Sequence, residues 1–186
     1  MSIKPYIFED SGNTSKNTME VFSNMSTTQI KEMLASNRSE MISVCMNLTS
    51  DFNKASVIRS SNAFLGKEII LVGKRKFDRR GTVGTHHYEH ILHTDDVLDV
   101  FDYLRSEGYT IFAVDNTPEF NPQVIYDVDM PKKSAFFYGE EQCGLSNDIV
   151  AQCDHVVYIP QYGSVRSINV ASAASIVMSE YSRRHR

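Results

Sequence analysis

Two segments combine polar residues and glycines where an ordinary α/β core would need only packing residues. In DFNKASVIRSSNAF (51–64), Asn53 precedes a helical pattern that carries Arg59 on a surface of small and apolar residues. In FFYGEEQCGLS (136–146), an apolar run leads directly into Gly139 and two acids. A glycine at the carboxyl end of a strand lets a ligand approach the backbone, so this turn is a candidate binding site.

A third such segment is IPQYGSVRSINVASAAS (159–175), where a turn containing proline and glycine leads to Ser167 and Asn169 at the start of the last predicted helix. Helix capping alone would explain one of these two polar residues. The purely structural alternative for the three segments is a tight turn without a ligand, a capped helix, and a buried ion pair between Arg59 and Glu141.

Short apolar runs alternate with helical patterns from Ile42 onward, which is typical of an α/β domain with a mainly parallel sheet flanked by helices. Runs rich in Val, Ile, Phe and Tyr predict strands over 42–48, 68–73, 109–115, 134–139 and 155–160, with a weaker sixth over 87–93. Apolar residues at helical spacing predict helices over 54–64, 95–108, 145–153 and 169–184. Each of the three polar segments therefore lies at the end of a predicted strand.

The chain has 186 residues and 41% hydrophobic content, which suits one compact domain. Residues 1–36 are rich in Ser, Thr and Asn, with one helical candidate over 27–36, so we predict an N-terminal arm over 1–36 and a domain over 37–186. The sequence has neither a signal-peptide pattern nor a long apolar window. We therefore expect a cytoplasmic protein with no membrane partner.

Cysteine count and charge restrict the remaining classes of site. Cys45, Cys143 and Cys153 are odd in number and widely spaced, which argues against a disulfide framework and a four-ligand zinc site. The net charge of -4 does not by itself indicate a nucleic-acid partner, because domains that bind phosphates usually carry an excess of positive charge. A local concentration of positive charge is formed by Lys74, Arg75, Lys76, Arg79 and Arg80. Taken alone, that basic run fits either a solvated loop or a phosphate-binding surface.

Together the three segments resemble the three motifs of the SPOUT superfamily, specifically its SpoU or TrmH branch of RNA ribose 2'-O-methyltransferases. The resemblance covers about residues 40–186. In motif order, the matching positions are Asn53, Arg59 and Phe64; Gly139, Glu141, Gly144 and Leu145; and Ile159, Pro160, Gly163, Ser167, Asn169, Val170 and Ala173. Two departures are Ala55, where the family prefers glycine, and Glu140, which adds a charge near the expected cofactor.

The resemblance implies a C-terminal trefoil knot, a homodimer, and S-adenosylmethionine as the cofactor for methyl transfer to a ribose 2'-hydroxyl of tRNA or rRNA. A sulfonium is already activated, so this chemistry needs no metal. Backbone around the second and third motifs would hold the cofactor. The end of the strand predicted over 109–115 would also line the cofactor site. The residues implied for this role are Val114, Asn116, Gly139, Gly144, Ile159 and Ile168.

Arg59 matches the catalytic arginine of the family. A guanidinium stays protonated at ordinary pH, so phosphate binding and oxyanion stabilisation are easier to defend than a role as general base. Asn53, Ser167 and Asn169 match polar residues around the reacting ribose, and Glu141 is expected to orient a loop or bind a backbone donor. The basic run directly follows a predicted strand of the same fold, which favours an RNA-binding surface.

Parts of the sequence fit three other interpretations. The stretch from His86 to His90 spells H-x-x-E-H, but a zinc-protease site needs it on a long helix, so we expect exposed strand or loop histidines. No G-x-G-x-x-G follows the first strand, which argues against a dinucleotide-binding dehydrogenase. A non-catalytic RNA-binding or assembly module remains the alternative of a different class.

The small residues of the last predicted helix favour a dimer contact only weakly, since they suit internal packing equally. These residues are Ala171, Ala173, Ala174 and Ser175.

Overall fold

A computed structural model describes residues 3–5 and 19–186. The strands in these residues are β1 (Lys4–Pro5), β2 (Ile42–Met46), β3 (Glu68–Val72), β4 (Ile91–Thr94), β5 (Thr110–Val114), β6 (Gln123–Val124), β7 (Ser134–Tyr138) and β8 (His155–Tyr158). The helices are α1 (Thr27–Ala35), α2 (Asp51–Ala63), α3 (Arg79–Thr82), α4 (Val97–Ser106), α5 (Asn147–Val150) and α6 (Val170–His185). Short 3-10 helices cover Glu20–Phe22, Thr85–His87 and Pro118–Phe120.

The strands form one sheet in the order β1-β4-β3-β2-β7-β5-β8-β6, in which only the pair of β1 and β4 is antiparallel among the described residues. Alternate residues of each central strand enter two cores. Cys45, Leu71 and Phe136 pack on the side of α2 and α6, whereas Val44 and Phe137 pack on the side of α4. The predicted α/β fold with a mainly parallel sheet is confirmed.

Side-chain caps explain where the long helices begin. Ser50 accepts a hydrogen bond from the Asn53 amide and so starts α2 three residues before the predicted bound. Asp96 caps α4 in the same way, and Gly108, with φ +75°, follows its end. The helix predicted over 145–153 is only the single turn α5.

The strand predicted over 87–93 is wrong in its first half, because a 3-10 helix ends at His87, residues 88–90 form no strand, and β4 begins only at Ile91. The turn follows Gly84, which has φ +86°, and the His86 ring bonds to the Thr82 hydroxyl. These contacts favour a tight turn over an extended strand. The predicted domain boundary at residue 36 stays a prediction, since residues 1–2 and 6–18 lie outside the described part of the chain.

The small-residue side of α6 packs inside the molecule. Ala171 and Ala174 are buried, and the hydroxyls of Ser60 on α2 and Ser175 on α6 are 2.8 Å apart. The internal packing of these residues therefore removes the weak argument for a dimer contact that was based on them. At the other end of α6, the side chains of Tyr181 and Arg184 donate to carbonyls of the 125–132 segment. These bonds hold residues 125–132 against α6. The C-terminal trefoil knot that the resemblance implies stays a prediction.

In the residues that the structure describes, no helix combines the length and apolar character needed to cross a bilayer.

Candidate active site

The carboxylate of Glu141, in the loop after β7, bonds to the loop after β2 and to the first turn of α2. It accepts hydrogen bonds from the amide and hydroxyl of Thr49 at 3.0 and 2.8 Å and from the Ser50 amide at 3.2 Å. It also accepts from the side-chain amide of Asn53 at 2.8 Å. Partial burial acts to raise the pKa of Glu141, but the hydrogen bonds from Asn53 and Thr49 outweigh it and hold that pKa at about 2. The carboxylate is therefore ionised at neutral pH.

Asn53 connects this carboxylate to α6. Because its amide nitrogen faces Glu141, its oxygen points to Asn169 and accepts a hydrogen bond from the Asn169 side-chain nitrogen at 3.1 Å. Asn169 at the same time caps α6, since its oxygen accepts from the backbone amides two and three residues further on. One residue from each of the three segments thus belongs to one network, which we call the Glu141–Asn53–Asn169 network.

Arg59 and Ser167 lie outside this network. Arg59 is exposed on α2, six residues after Asn53 and so about 9 Å along the helix axis. Across residues 3–5 and 19–186 it has no hydrogen-bond or ion-pair partner, so the alternative of a buried ion pair with Glu141 is wrong. Ser167 is exposed in the turn before α6. The guanidinium is therefore accessible to an anionic ligand.

Val114, Gly139 and Ile159 come together at one edge of the sheet, because they lie at the carboxyl ends of the neighbouring strands β5, β7 and β8. A Cβ on Gly139 would lie 2.2 Å from the carbonyl carbon of Gly144, so only glycine fits there. This close approach lets Glu140 and Gly144 exchange two backbone hydrogen bonds of 3.1 and 2.9 Å. The loop after β7 therefore folds back on the strand end.

Two adjacent residues after β5 hold the surrounding loops. One carboxylate oxygen of Asp115 accepts from the Leu145 amide at 3.2 Å, and it lies 2.9 Å from where a Cβ of Gly144 would be. The side-chain amide of Asn116 donates to the carbonyl of Arg166 at 2.8 Å. Sequence reasoning missed Asp115, although its place directly after a strand and before Asn116 was an available signal.

A cleft of about 480 Å³ opens between the loops after β5 and β8. Its volume suits a nucleoside-sized ligand. The lining includes two of the predicted cofactor residues, Asn116 and Ile159, whereas the half-buried Ile168 and the other three lie outside it. Gln161 also lines the cleft, and its side-chain oxygen is shielded from solvent with no hydrogen-bond donor in the described residues. A ligand amino group would satisfy that oxygen.

A second cavity, of about 400 Å³, lies between the 120–123 and 150–156 segments and is lined by none of the predicted site residues. The cleft beside Asn116 is the better candidate for the cofactor, because Asn116 and residues of the third segment, among them Ile159 and Gln161, line it.

The model for the family described as SpoU rRNA methylase matches residues 40–179. The chain belongs to this family. That range includes the network, the loops after β5, β7 and β8, and most of α6.

SpoU relatives with an assigned reaction extend over most of the chain. The tRNA (guanosine(18)-2'-O)-methyltransferase of Thermus thermophilus is 25% identical over 162 residues, which cover 83% of this chain and 80% of the relative. The 23S rRNA (uridine(2479)-2'-O)-methyltransferase of Streptomyces viridochromogenes is 29% identical over 140 residues, or 71% of this chain and 48% of the relative.

Solved structures show the same fold. The TrmH/SpoU tRNA modifying enzyme of A. aeolicus superposes with a TM-score of 0.76 at 24% identity, covering 85% of this chain and 81% of that one. The SpoU methyltransferase AviRb of Streptomyces viridochromogenes was solved in complex with the cofactor AdoMet. It superposes with a TM-score of 0.71 at 26% identity, covering 79% of this chain and 61% of that one.

In this SpoU chain the basic run begins beside the network. Lys74 donates to the carbonyl of Thr49 at 3.1 Å, and the same threonine binds Glu141. The buried Lys54 fixes this start of the run by donating to the carbonyl of Lys74 at 3.0 Å. All the predicted RNA-binding side chains are exposed, namely Lys74, Arg75, Lys76, Arg79 and Arg80.

The expectation of exposed histidines in the H-x-x-E-H stretch is wrong for His86, which is buried. Glu89 is also buried and forms a 2.9 Å ion pair with Arg38, whose two end nitrogens both reach the carboxylate. A hydrogen bond from Asn62 adds to this pair. Glu89 therefore has a structural role that joins α2 to the turn before β4.

Because His86 is buried, we expect the folded protein to lose stability in mild acid. Burial lowers the pKa of its ring from 6.5 to about 4, so the folded protein binds this proton more weakly than the unfolded chain. The contribution of the neutral His86 ring to the free energy of unfolding is present above about pH 6.5 and is lost as the pH falls towards 4. We expect the free energy of unfolding to fall by about 2 kcal/mol between about pH 7 and pH 5 for this reason. Urea unfolding of wild type and His86→Asn at both pH values measures it. The same slope in both proteins would contradict the prediction, and the exposed His90→Asn is the control.

A second stability prediction concerns Glu141. Its pKa lies below the ordinary 4.5, so its stabilisation is present above about pH 4.5 and is lost as the pH falls towards 2. Since the residue is partly exposed, we expect Glu141→Gln to cost about 1 kcal/mol at neutral pH. Urea unfolding at neutral pH and near pH 3 measures the difference, which should shrink in acid. An equal difference at both pH values would show that charge is not the cause.

Proposed function

We propose that this protein transfers a methyl group from S-adenosylmethionine to a ribose 2'-hydroxyl of tRNA or rRNA. The observation that carries the proposal is the Glu141–Asn53–Asn169 network, in which one residue from each of the three motif segments meets the others. The relatives with an assigned reaction methylate a ribose of tRNA or of 23S rRNA, which supports the same reaction type here.

The residues present fit S-adenosylmethionine. The cleft of about 480 Å³ offers the apolar side chain of Ile159 and the polar side chains of Asn116 and Gln161. The close backbone packing of Gly139 on Gly144 gives the second loop a fixed shape beside it. We assign cofactor binding to this edge of the sheet, with Val114 and Ile168 as further apolar contacts. When bound, the cofactor supplies a methyl group that is already activated by its sulfonium.

The chain's own residues align and polarise the ribose. Arg59 keeps its positive charge, so it binds the phosphate next to the reacting ribose and stabilises the negative charge that develops on the 2'-oxygen. The network fixes the side-chain amides of Asn53 and Asn169, and Ser167 offers a hydroxyl from the adjoining turn. The basic run holds neighbouring phosphates and so sets the register of the RNA.

We also assign the protein to the cytoplasm, where tRNA and rRNA are modified, and to a homodimer, as the family resemblance implies. A sedimentation measurement of the purified chain tests the dimer directly. A mass of one chain over the working concentration range would reject it.

The first experiment is transfer of label from methyl-labelled S-adenosylmethionine to total tRNA and to rRNA, followed by nucleoside analysis. We expect label in a 2'-O-methylnucleoside of one RNA class. Label in a base-methylated nucleoside would reject ribose as the target. Cofactor and RNA binding without any transfer would favour the non-catalytic module.

A further inference from the structure

Phe52 is a large apolar side chain left in solvent next to the network. It lies in the first turn of α2, directly before Asn53, and is 57% exposed. Phenylalanine is among the residues most often buried, so a half-exposed ring beside a site calls for an explanation. Neither the fold nor the motifs of the family required an aromatic residue at this position.

The ring of Phe52 rests against α3. A Cβ placed on Gly81 would lie 3.2 Å from two carbons of the ring and 2.8 Å from the Cβ of Ala55. Gly81 thus lets the short helix approach α2 closely, and the ring has backbone on one side and solvent on the other. This contact holds the aromatic side chain at a fixed place on the surface.

Exposed basic residues lie on both α2, which carries the ring, and α3, which the ring contacts. Gly81 is preceded in α3 by the exposed Arg79 and Arg80, and Arg59 follows Phe52 by seven residues on the same face of α2. Acids are present too: Asp78 pairs with Arg80 at 2.7 Å, and Asp51 lies 3.5 Å from the Lys74 ammonium and 3.8 Å from that of Lys76. Residues 74–81 contain five basic residues and one acid, so the local charge of this stretch is positive.

We infer that Phe52 stacks on an unpaired nucleobase that flanks the methylated nucleotide. This inference rests on the proposed function, since it takes RNA as the substrate. RNA recognition in single-stranded loops pairs aromatic faces for the bases with basic side chains for the phosphates, and both are present here. Phe52 directly precedes Asn53 in α2, so we expect the stacked base to be a neighbour of the nucleotide whose ribose is methylated.

The test compares an apolar and an aromatic replacement. Phe52→Leu keeps much of the apolar surface but removes the π face, whereas Phe52→Trp keeps a stacking surface. Tyr126→Leu is a matched control, because Tyr126 is 50% exposed and follows the edge strand β6, far across the sheet from β3 and the basic run. Fluorescence anisotropy with a short labelled single-stranded RNA of mixed sequence, and with unfractionated tRNA, gives the RNA affinity. Calorimetry gives cofactor affinity, and sedimentation gives the oligomeric state.

We expect Phe52→Leu to weaken RNA binding about 10-fold, with Phe52→Trp and Tyr126→Leu within about 2-fold of wild type. Cofactor affinity and sedimentation should not change. Equal RNA affinity of wild type and Phe52→Leu overturns the inference while methyl transfer by both proteins leaves the proposed function intact. A changed sedimentation coefficient for Phe52→Leu also overturns it, because the ring would then contact a second copy of the chain. A wild type that binds no RNA rejects both proposals.

Discussion

Replacing Arg59 with alanine should lower the rate of methyl transfer by about 100- to 1000-fold, the usual cost of removing one group that stabilises transition-state charge. The side chain is exposed and has no partner among the described residues, so its loss leaves no buried charge behind. Folding and cofactor affinity should therefore stay close to wild type. Single-turnover transfer with saturating labelled cofactor measures the rate, and calorimetry measures the affinity.

The controls for Arg59 separate charge, geometry and proton transfer. Arg59→Lys keeps the charge but loses the planar pair of donors, so we expect an intermediate rate. Arg105→Ala removes an exposed arginine from α4, on the opposite face of the sheet, and should leave the rate unchanged. If Arg59 were a general base, the activity of Arg59→Ala would recover as the pH is raised, because the ribose hydroxyl would ionise without help. A deficit that is constant with pH supports phosphate and oxyanion binding.

The central strands were predictable because β2, β3, β5, β7 and β8 are short, apolar runs bounded by polar residues. Each observed strand lies within its predicted range. The helix bounds depended on caps that the apolar pattern does not show, which is why α2 begins at Asp51 rather than at residue 54. The turn at His86 was missed because a tight turn stabilised by a buried side-chain contact has no periodic pattern.

Residue type alone pointed to Gly139, whereas Asn53, Glu141 and Asn169 were predicted from the family motifs. Gly139 was found because glycine at a strand end has a recognisable use, and the structure shows the close contact that requires it. The hydrogen-bond partners of Glu141 and the position of Gln161 in the cleft could not be predicted from the sequence. These contacts join loops that are distant in sequence, so they depend on how far each loop extends in space.

Replacing Gly139 with alanine should have the second large effect, a loss of cofactor affinity of about 10- to 100-fold. The added Cβ would lie 2.2 Å from the Gly144 carbonyl carbon and 2.4 Å from the Leu145 nitrogen, both backbone atoms that no rotamer change can move away. Overpacking of this kind costs about 1–3 kcal/mol, and here the strain falls on the loop beside the cleft. We expect the bonds between Glu140 and Gly144 to break and the loop to shift.

Calorimetric titration with S-adenosylmethionine measures the loss, and Gly108→Ala is the control, because Gly108 lies outside the three motifs and its φ of +75° strains the backbone of an alanine without any steric contact within 4 Å. Thermal unfolding of both variants separates local from global effects. Gly139→Ala should still unfold in one cooperative step, since the clash involves a loop rather than the two cores. If Gly139→Ala binds the cofactor as tightly as Gly108→Ala does, the loop after β7 does not form part of the cofactor site.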